Sequence, residues 1–440
     1  MASNTTPSRR ATVRTYRHGL GDCHLLTLYG AGDATYRILI DCGVILGTEN
    51  AASKMTQVMD DVVLASGGKV DLLVATHKHW DHVSGFMQAS AAFAKLAVGE
   101  VWMAWTEDPQ DAQAKSLQAD HDQALAMLQG VAARMQMDDP DNDHALNDLL
   151  GFFGAAARVT TQTALDAVRA KGKGTVRYCD PKDAPRDLPA FGAHIYVLGP
   201  PRDETRLKNM SPPSSAQDKT TYKMALDSYH RYIADAIGAD EAQLPFARPY
   251  NIPVQVAQSV PFFQQRYWNQ EDWRRIDDGW LDDATGLALQ LDNVVNNTSL
   301  VLAIDLQEAG VLLFAADAQV GNWLSWGDCK WTLPEGETVS GHDLVSRTTF
   351  YKVGHHGSPN ATLREGGLEL MTQLNVAVVP VDHDMALKRR WGSLPLDSLM
   401  KALDQLTAPR GFSLRTDTNP GALAVQRGVR STALYFEIDV

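Results

Sequence analysis

Three histidines and an aspartate stand within six positions of the stretch "THKHWDH": His77, His79, Asp81 and His82. They follow directly on the apolar run "VDLLVA". Four polar groups this close together are costly to bury without partners, so the cluster calls for something to bind. His77 and His79 are two apart, and in an extended segment their imidazoles point the same way. Asp81 and His82 come where the chain has to turn into the helix-like "DHVSGFM", a turn that can aim all four side chains into one space. Imidazole and carboxylate donors at this spacing, past the end of an apolar strand, read as metal ligands. An isolated His-x-His would say much less, since many such pairs are ordinary surface residues.

Serving two metal ions requires a bridging carboxylate and a further histidine, each at a strand end. "GVLLFAADAQ" puts Asp317 after an apolar strand, and "YKVGHHGS" puts His355 and His356 at the end of another, ahead of Gly357. Alone, Asp317 reads as a turn residue or helix cap, and His355-His356 reads equally as a site or a satisfied surface pair. In this order behind the HxHxDH cluster, both become ligand candidates, with the choice between His355 and His356 open.

The elements that must position these residues are legible in outline. "ATVRTYRH", "CHLLTLYG", "YRILIDCG" and "VDLLVAT" have strand character. Between Gly47 and Ser66 the pattern is helical, with Met55, Val58, Met59 and Val62 on one face. Strand, helix, strand is a βαβ unit, whose ligands sit beyond the C-terminal strand ends. Two blocks, about 107–173 and 203–289, read as helical insertions. Strand signals return after Leu289 in "SLVLAIDL", "GVLLFAAD", "TTFYKVGHHG" and "VAVVPVDH", followed by the helix "LPLDSLMKALDQL" and the strands "SLRTD" and "ALYFEIDV". The expectation is one α/β domain over 1–440 with two helical insertions.

Composition narrows the function classes. The chain has 440 residues, 44% hydrophobic and 21% charged, with a formal net charge of -13, which is ordinary for a globular protein. That sign is wrong for broad neutralisation of nucleic-acid phosphates, although a local basic pocket remains open. Four scattered cysteines without a CxxC pair argue against a zinc knuckle or a disulfide scaffold. No secretory signal and no membrane span are expected, and the expected location is cytoplasmic. "LKRRWGS" offers Arg389 and Arg390 as a phosphate anchor or as a solvated loop. His18, His24, His194 and His383 have no partner by spacing and read as structural or surface residues.

HxHxDH, then an aspartate after a strand, then a histidine after a later strand resembles the metallo-β-lactamase superfamily. The run "GLGDCHLL", "ILIDCG", "THKHWDHVSG", "VLGPP", "NNTSLVLAI", "LLFAADAQ", "YKVGHHGS" and "LRTDTNPGA" is similar, in order, to the soluble hydrolase domain of ComEC-type competence proteins. The resemblance implies a four-layer αββα sandwich. It implies one metal held by His77, His79 and Asp317, and a second held by Asp81, His82, Asp317 and a late histidine. His356, directly before a glycine, is the favoured late ligand. His355 is then a phosphate contact or proton donor that joins Asp81 among the catalytic side chains. Asp41, at the end of "ILID", matches a carboxylate that braces the histidine loop. Two departures stand out. Asn296 or Asn297 occupies the place of an additional histidine ligand, and Ala316 replaces a glycine before Asp317.

The function implied is that of a metal-dependent hydrolase. It would be a phosphodiesterase in which two divalent ions, Zn²⁺ or else Mn²⁺ or Fe, activate a hydroxide against nucleic acid or a small phosphoester. The competing expectations are a hydrolase of lactones or thioesters and a non-catalytic binding module on the same scaffold.

Overall fold

A computed structural model describes residues 10–138, 160–174, 176–209, 254–269, 288, 291–334, 336–358, 360–388 and 394–440, with the side chains of 131–138, 254, 255 and 258 excepted. The chain divides into two compact units. The first comprises Met1–Gln118, Gly151–Pro212 and Asn293–Val440, and the second Ala119–Leu150 and Pro213–Asp292.

The strands of the first unit, in chain order, begin with β1 (Ala11–Tyr16), β2 (Cys23–Tyr29), β3 (Thr35–Cys42), β4 (Lys69–Ala75), β5 (Ala97–Ala104) and β6 (Val176–Cys179). Then come β7 (Arg186–Leu188), β8 (Ala193–Gly199), β9 (Val301–Asp305), β10 (Val311–Phe314), β11 (Lys330–Thr332), β12 (Thr338–Ser340) and β13 (Thr348–Lys352). The last are β14 (Val376–Val379), β15 (Phe412–Arg415), β16 (Arg430–Ser431) and β17 (Tyr435–Asp439). They form an eight-stranded sheet in the order β16-β17-β1-β2-β3-β4-β5-β6 and a seven-stranded sheet in the order β15-β14-β13-β10-β9-β8-β7, while β11 and β12 pair separately. Both large sheets are mixed. β3 through β6 run parallel, as do β10, β13, β14 and β15, and the remaining neighbours are antiparallel.

Strand periodicity assigns the faces. Val13, Leu26, Ile38, Ile40, Leu72 and Val74 of the first sheet pack with Leu302, Ile304, Leu312, Phe314, Phe350 and Val378 of the second in one buried cluster. The alternate residues face outwards under helices. Leu39, Leu73 and Met103 lie beneath α1 (Ala51–Ala65) and α2 (Trp80–Gln88). Ala303, Leu313, Tyr351 and Ala377 lie beneath the helices Val320–Trp326, Gly341–Ser346 and Asp397–Thr407. This is a mixed α/β sandwich. α1 buries Met55, Val58, Met59 and Val62, the face read from its periodicity. Trp323 and Trp326 are core residues of the outer layer, their indoles bonded to the Ala361 carbonyl and to Asn322 Oδ1.

The second unit, within its described residues, is helical: the distal part of Ala112–Asp138, then Val254–Ser259, Pro261–Phe263 and a π-turn at Gln264–Trp268. Among the described residues no helix is long and apolar enough to cross a membrane.

Candidate metal centre

Every side chain of the candidate site comes from a strand end of the first unit. β3 delivers Asp41, β4 leads into His77–His82, β10 into Asp317, and β13 into His355 and His356. β2, antiparallel to β3, starts just after Asp22 and so contributes at the same end. Backbone contact fixes these loops against one another. A Cβ on Gly43 would lie 2.4 Å from the Asp81 carbonyl carbon and 2.5 Å from the His82 nitrogen, so only glycine admits that approach. The Asp22 amide donates to the Asp81 carbonyl at 3.0 Å, and Ser84 Oγ bonds both backbone groups of Val44.

Asp41 organises the histidine loop. Its carboxylate accepts from Thr76 N at 2.8 Å, from Thr76 Oγ1 at 2.7 Å and from His82 Nδ1 at 2.9 Å. Since the Thr76 hydroxyl proton goes to Asp41, His77 Nδ1 is the donor in its 3.0 Å bond to that oxygen. His77 Nε2 therefore carries a lone pair, 3.1 Å from His79 Nδ1. By the same reasoning His82 donates from Nδ1 to Asp41 and turns Nε2 inward, to 3.0 Å from Asp317 Oδ2 and 3.8 Å from Asp81 Oδ2. His356 donates from Nδ1 to the Pro380 carbonyl at 2.8 Å and turns Nε2 to 3.0 Å from Asp81 Oδ2. The inward nitrogens of His82 and His356 thus each lie at hydrogen-bond distance from a carboxylate oxygen, so a proton or a metal ion has to stand between the two acceptors. A histidine braced on one nitrogen and free to ligate with the other is the usual arrangement around a metal.

Ligand atoms of Asp81, His82, Asp317 and His356, all buried, lie within 4.8 Å of one another, as do those of Asp22, Asp41 and His82. Imidazole and carboxylate donors can hold a divalent cation, and Asp81 Oδ1 is buried without a hydrogen-bond partner. The residues therefore fit a metal ion. His77 and His79 are buried beside this group, the His77 ring centroid 4.2 Å from that of His82, but neither belongs to the converging four.

Electrostatics follow from the geometry. Burial opposes charge on His82, yet Asp317, Asp81 and Asp22 outweigh it and hold its pKa well above the ordinary value. His356 is raised in the same way, against burial, by Asp81 and Asp317. Burial pushes His79 down to about 3 and His77 well below its usual value, helped in each case by neighbouring histidines. Asp317 sits well below the carboxylate range, because His82 and Lys352 overcome its burial. The carboxylates thus favour the charged form of the two inward imidazoles, His82 and His356.

The remaining candidates fall around this centre. His355 is only half-buried, with Nδ1 2.9 Å from Ser358 Oγ and 3.3 Å from Gln319 Nε2, and burial lowers its pKa to about 4. Asn297 is bonded away from the ligands. Its Oδ1 accepts from Gln319 N and Asn322 N, and its Nδ2 donates to the carbonyls of Leu207 and Asn209, so it ties down the turn after Asp317. Asn296 is buried next to it. Arg389 and Arg390 lie outside the described residues.

Asp22 and Lys352 were not singled out from the sequence. Lys352 is 1% exposed, and its ammonium contacts Asp22 Oδ2, Asp317 Oδ1 at 3.4 Å and the Ala316 carbonyl at 2.8 Å. The signal available was a lysine at the inward end of an apolar strand, which only a buried counter-charge accommodates. Asp41, Ala316, His355 and His356 all have positive φ, at 54°, 47°, 41° and 54°. Four non-glycine residues held in the left-handed region around one cluster are strain of the kind stored at functional sites. Ala316 holds this conformation without the freedom that a glycine would have there.

His18 yields a pH prediction. It is buried, Nε2 donating to the Gly43 carbonyl at 2.6 Å, and burial lowers its pKa to about 4. The unfolded chain binds this proton below about pH 6.5, while the folded chain stays neutral down to about 4. The metal-free protein should therefore keep this stability above pH 6.5 and lose up to about 3 kcal/mol of it as pH falls to 4. Urea unfolding at pH 7, 5 and 4 should show a shallower acid loss in His18→Gln than in the parent.

No protein-family model matches the chain, and no curated protein matches it.

Proposed function

We propose that the protein is a metal-dependent hydrolase of phosphodiesters, built on the four-layer αββα scaffold of the metallo-β-lactamase superfamily and related to the ComEC-type branch. The observation that carries the reading is the inward pair His82 Nε2 and His356 Nε2, each 3.0 Å from a carboxylate oxygen of Asp317 or Asp81. Asp81, His82, Asp317 and His356 would hold one divalent ion. His77 and His79, with Asp317, would hold a second. Zn²⁺ suits these donors, with Mn²⁺ or Fe also accommodated, and no cysteine belongs to either converging group. Such ions, when bound, lower the pKa of water and polarise a phosphoryl oxygen.

The chain's own residues supply orientation and a proton position. Asp41 fixes His82 and, through Thr76, His77, so the ligands do not reorganise when substrate arrives. His355 is neutral at pH 7, and Ser358 and Gln319 occupy Nδ1. Its Nε2 is left to meet a phosphoryl oxygen or a leaving group, and its partial exposure lets substrate reach it.

Purified protein supplied with Zn²⁺ or Mn²⁺ is expected to hydrolyse bis-(p-nitrophenyl) phosphate, to lose activity on chelation, and to be inactive as His79→Ala. A parallel panel of lactones and thioesters tests the electrophile. Protein that takes up no metal, or that cleaves only the carboxylic substrates, would sink the reading.

A further inference from the structure

The cluster contains a cation of its own. Lys352 is among the largest fully buried side chains of the described residues. An ammonium removed from water is stable only if its three N–H groups and its charge are met. Here they are met by Asp22 Oδ2, Asp317 Oδ1 and the Ala316 carbonyl. Asp22 is part of the same construction. Its amide and carbonyl are bonded to the loops carrying Asp81 and Gly43, and its Oδ2 is also 3.8 Å from His82 Nδ1.

Two consequences follow. The first is orientation: Lys352 Nζ and the His355 amide, at 3.0 Å, both engage Asp317 Oδ1, which turns Oδ2 towards His82. The second is charge. Asp22, Asp41, Asp81 and Asp317 contribute four negative charges and Lys352 one positive. With ligating histidines neutral, the contacting cluster sums to minus three.

We propose that Lys352 is a positioning residue and fixed counter-cation that presents Asp317 Oδ2 to the metal-binding space and makes the loaded site one charge more positive than its carboxylates alone would leave it, favouring a monoanionic phosphodiester over a neutral ester. This rests on the two-metal phosphodiesterase reading: two divalent cations on a charge of minus three leave plus one before the activated hydroxide is counted and zero after it, and without Lys352 each sum would be one unit lower. It extends that reading by assigning substrate charge to a residue that touches neither substrate nor metal.

The test uses a charge-matched series. Lys352→Met takes the cluster to minus four, Asp22→Asn to minus two, and the double variant returns it to minus three. The double variant removes both buried charges together, the change a folded interior tolerates best. The probes are diethyl phosphate, a monoanion, and triethyl phosphate, its neutral counterpart. Binding to zinc-loaded protein is followed by calorimetry, and metal content is measured in every sample.

Lys352→Met is expected to weaken diethyl phosphate binding by about tenfold and to leave triethyl phosphate unchanged. Asp22→Asn should bind the anion more tightly than wild type, and the double variant should return to wild-type affinity within about threefold. If Lys352→Met does not fold, the comparison of Asp22→Asn with the double variant still decides, with about tenfold tighter anion binding expected in the former. Equal losses for both probes, or no recovery in the double variant, would overturn the inference and leave Lys352 a structural residue. Wild-type protein that loads no metal would overturn the two-metal reading, and the inference with it.

Discussion

Asp317→Asn is expected to lower phosphodiester hydrolysis by more than about 10²-fold and to reduce the bound metal to one ion or none. The substitution keeps the shape of the side chain and removes its charge. Asp317 Oδ2 is 3.0 Å from His82 Nε2, and Oδ1 receives the His355 amide and Lys352. Removing an outer partner of a metal ligand costs about 10–100-fold, and a carboxylate shared by both proposed ions should cost more. A second readout does not depend on turnover. In metal-free protein Asp317 foremost among the charged neighbours holds His82 protonated against its burial, so the His82 pKa, followed by imidazole NMR, should fall in the variant. An Asp317→Asn protein with full activity and two bound ions would rule out the bridging role.

The second large effect is expected at Asp41, and it divides between stability and function. Asp41→Ala leaves the Thr76 amide, the Thr76 hydroxyl and His82 Nδ1 without their acceptor in a fully buried setting. Breaking a buried charged network by removing one member costs about 3–5 kcal/mol, a large share of the stability of a typical domain. Denaturant unfolding of metal-free protein should show that loss. Asp41→Asn is the informative companion. Asparagine tolerates the left-handed backbone at this position, φ 54°, and keeps one acceptor oxygen. It should fold and lose metal affinity by about 10–100-fold, because an amide cannot accept from His82 and Thr76 as a carboxylate does. An Asp41→Asn protein with wild-type metal affinity would make the residue a packing element only.

What could be read in advance separates along physical lines. The strand bearing the HxHxDH loop and the helix with Met55, Val58, Met59 and Val62 were legible because apolar periodicity is a local property of the chain. The convergence of Asp81, His82, Asp317 and His356 was legible as a candidate cluster, since their spacing and position past apolar runs survive without three-dimensional information. The part played by Lys352 was not. A lysine closing "TTFYK" looks like a solvated strand end until the strand is found pointing at Asp22, which lies 330 residues earlier in the numbering. Asn296 or Asn297 stands where an additional histidine ligand is expected, and what the side chain of Asn297 does there was not legible: its amide is spent on the carbonyls of Leu207 and Asn209 and on the turn after Asp317, partners that only the tertiary fold supplies. The charge network could not be seen from the sequence because its members come from five separate chain segments, and only those on the histidine loop and those from Lys352 to His356 are close along the chain.

The span between Asp81 and His356, which meet at 3.0 Å across 275 positions, has a kinetic consequence. Contacts that distant form after the two sheets have docked, because loop closure has to precede them. A cation held by this cluster is therefore expected to act downstream of the folding barrier. It should leave the folding arm of a chevron unmoved and depress the unfolding arm, as expected for interactions absent from the transition state. Metal occupancy would then register as a longer native lifetime and slower inactivation on heating, with refolding no faster than that of the stripped chain.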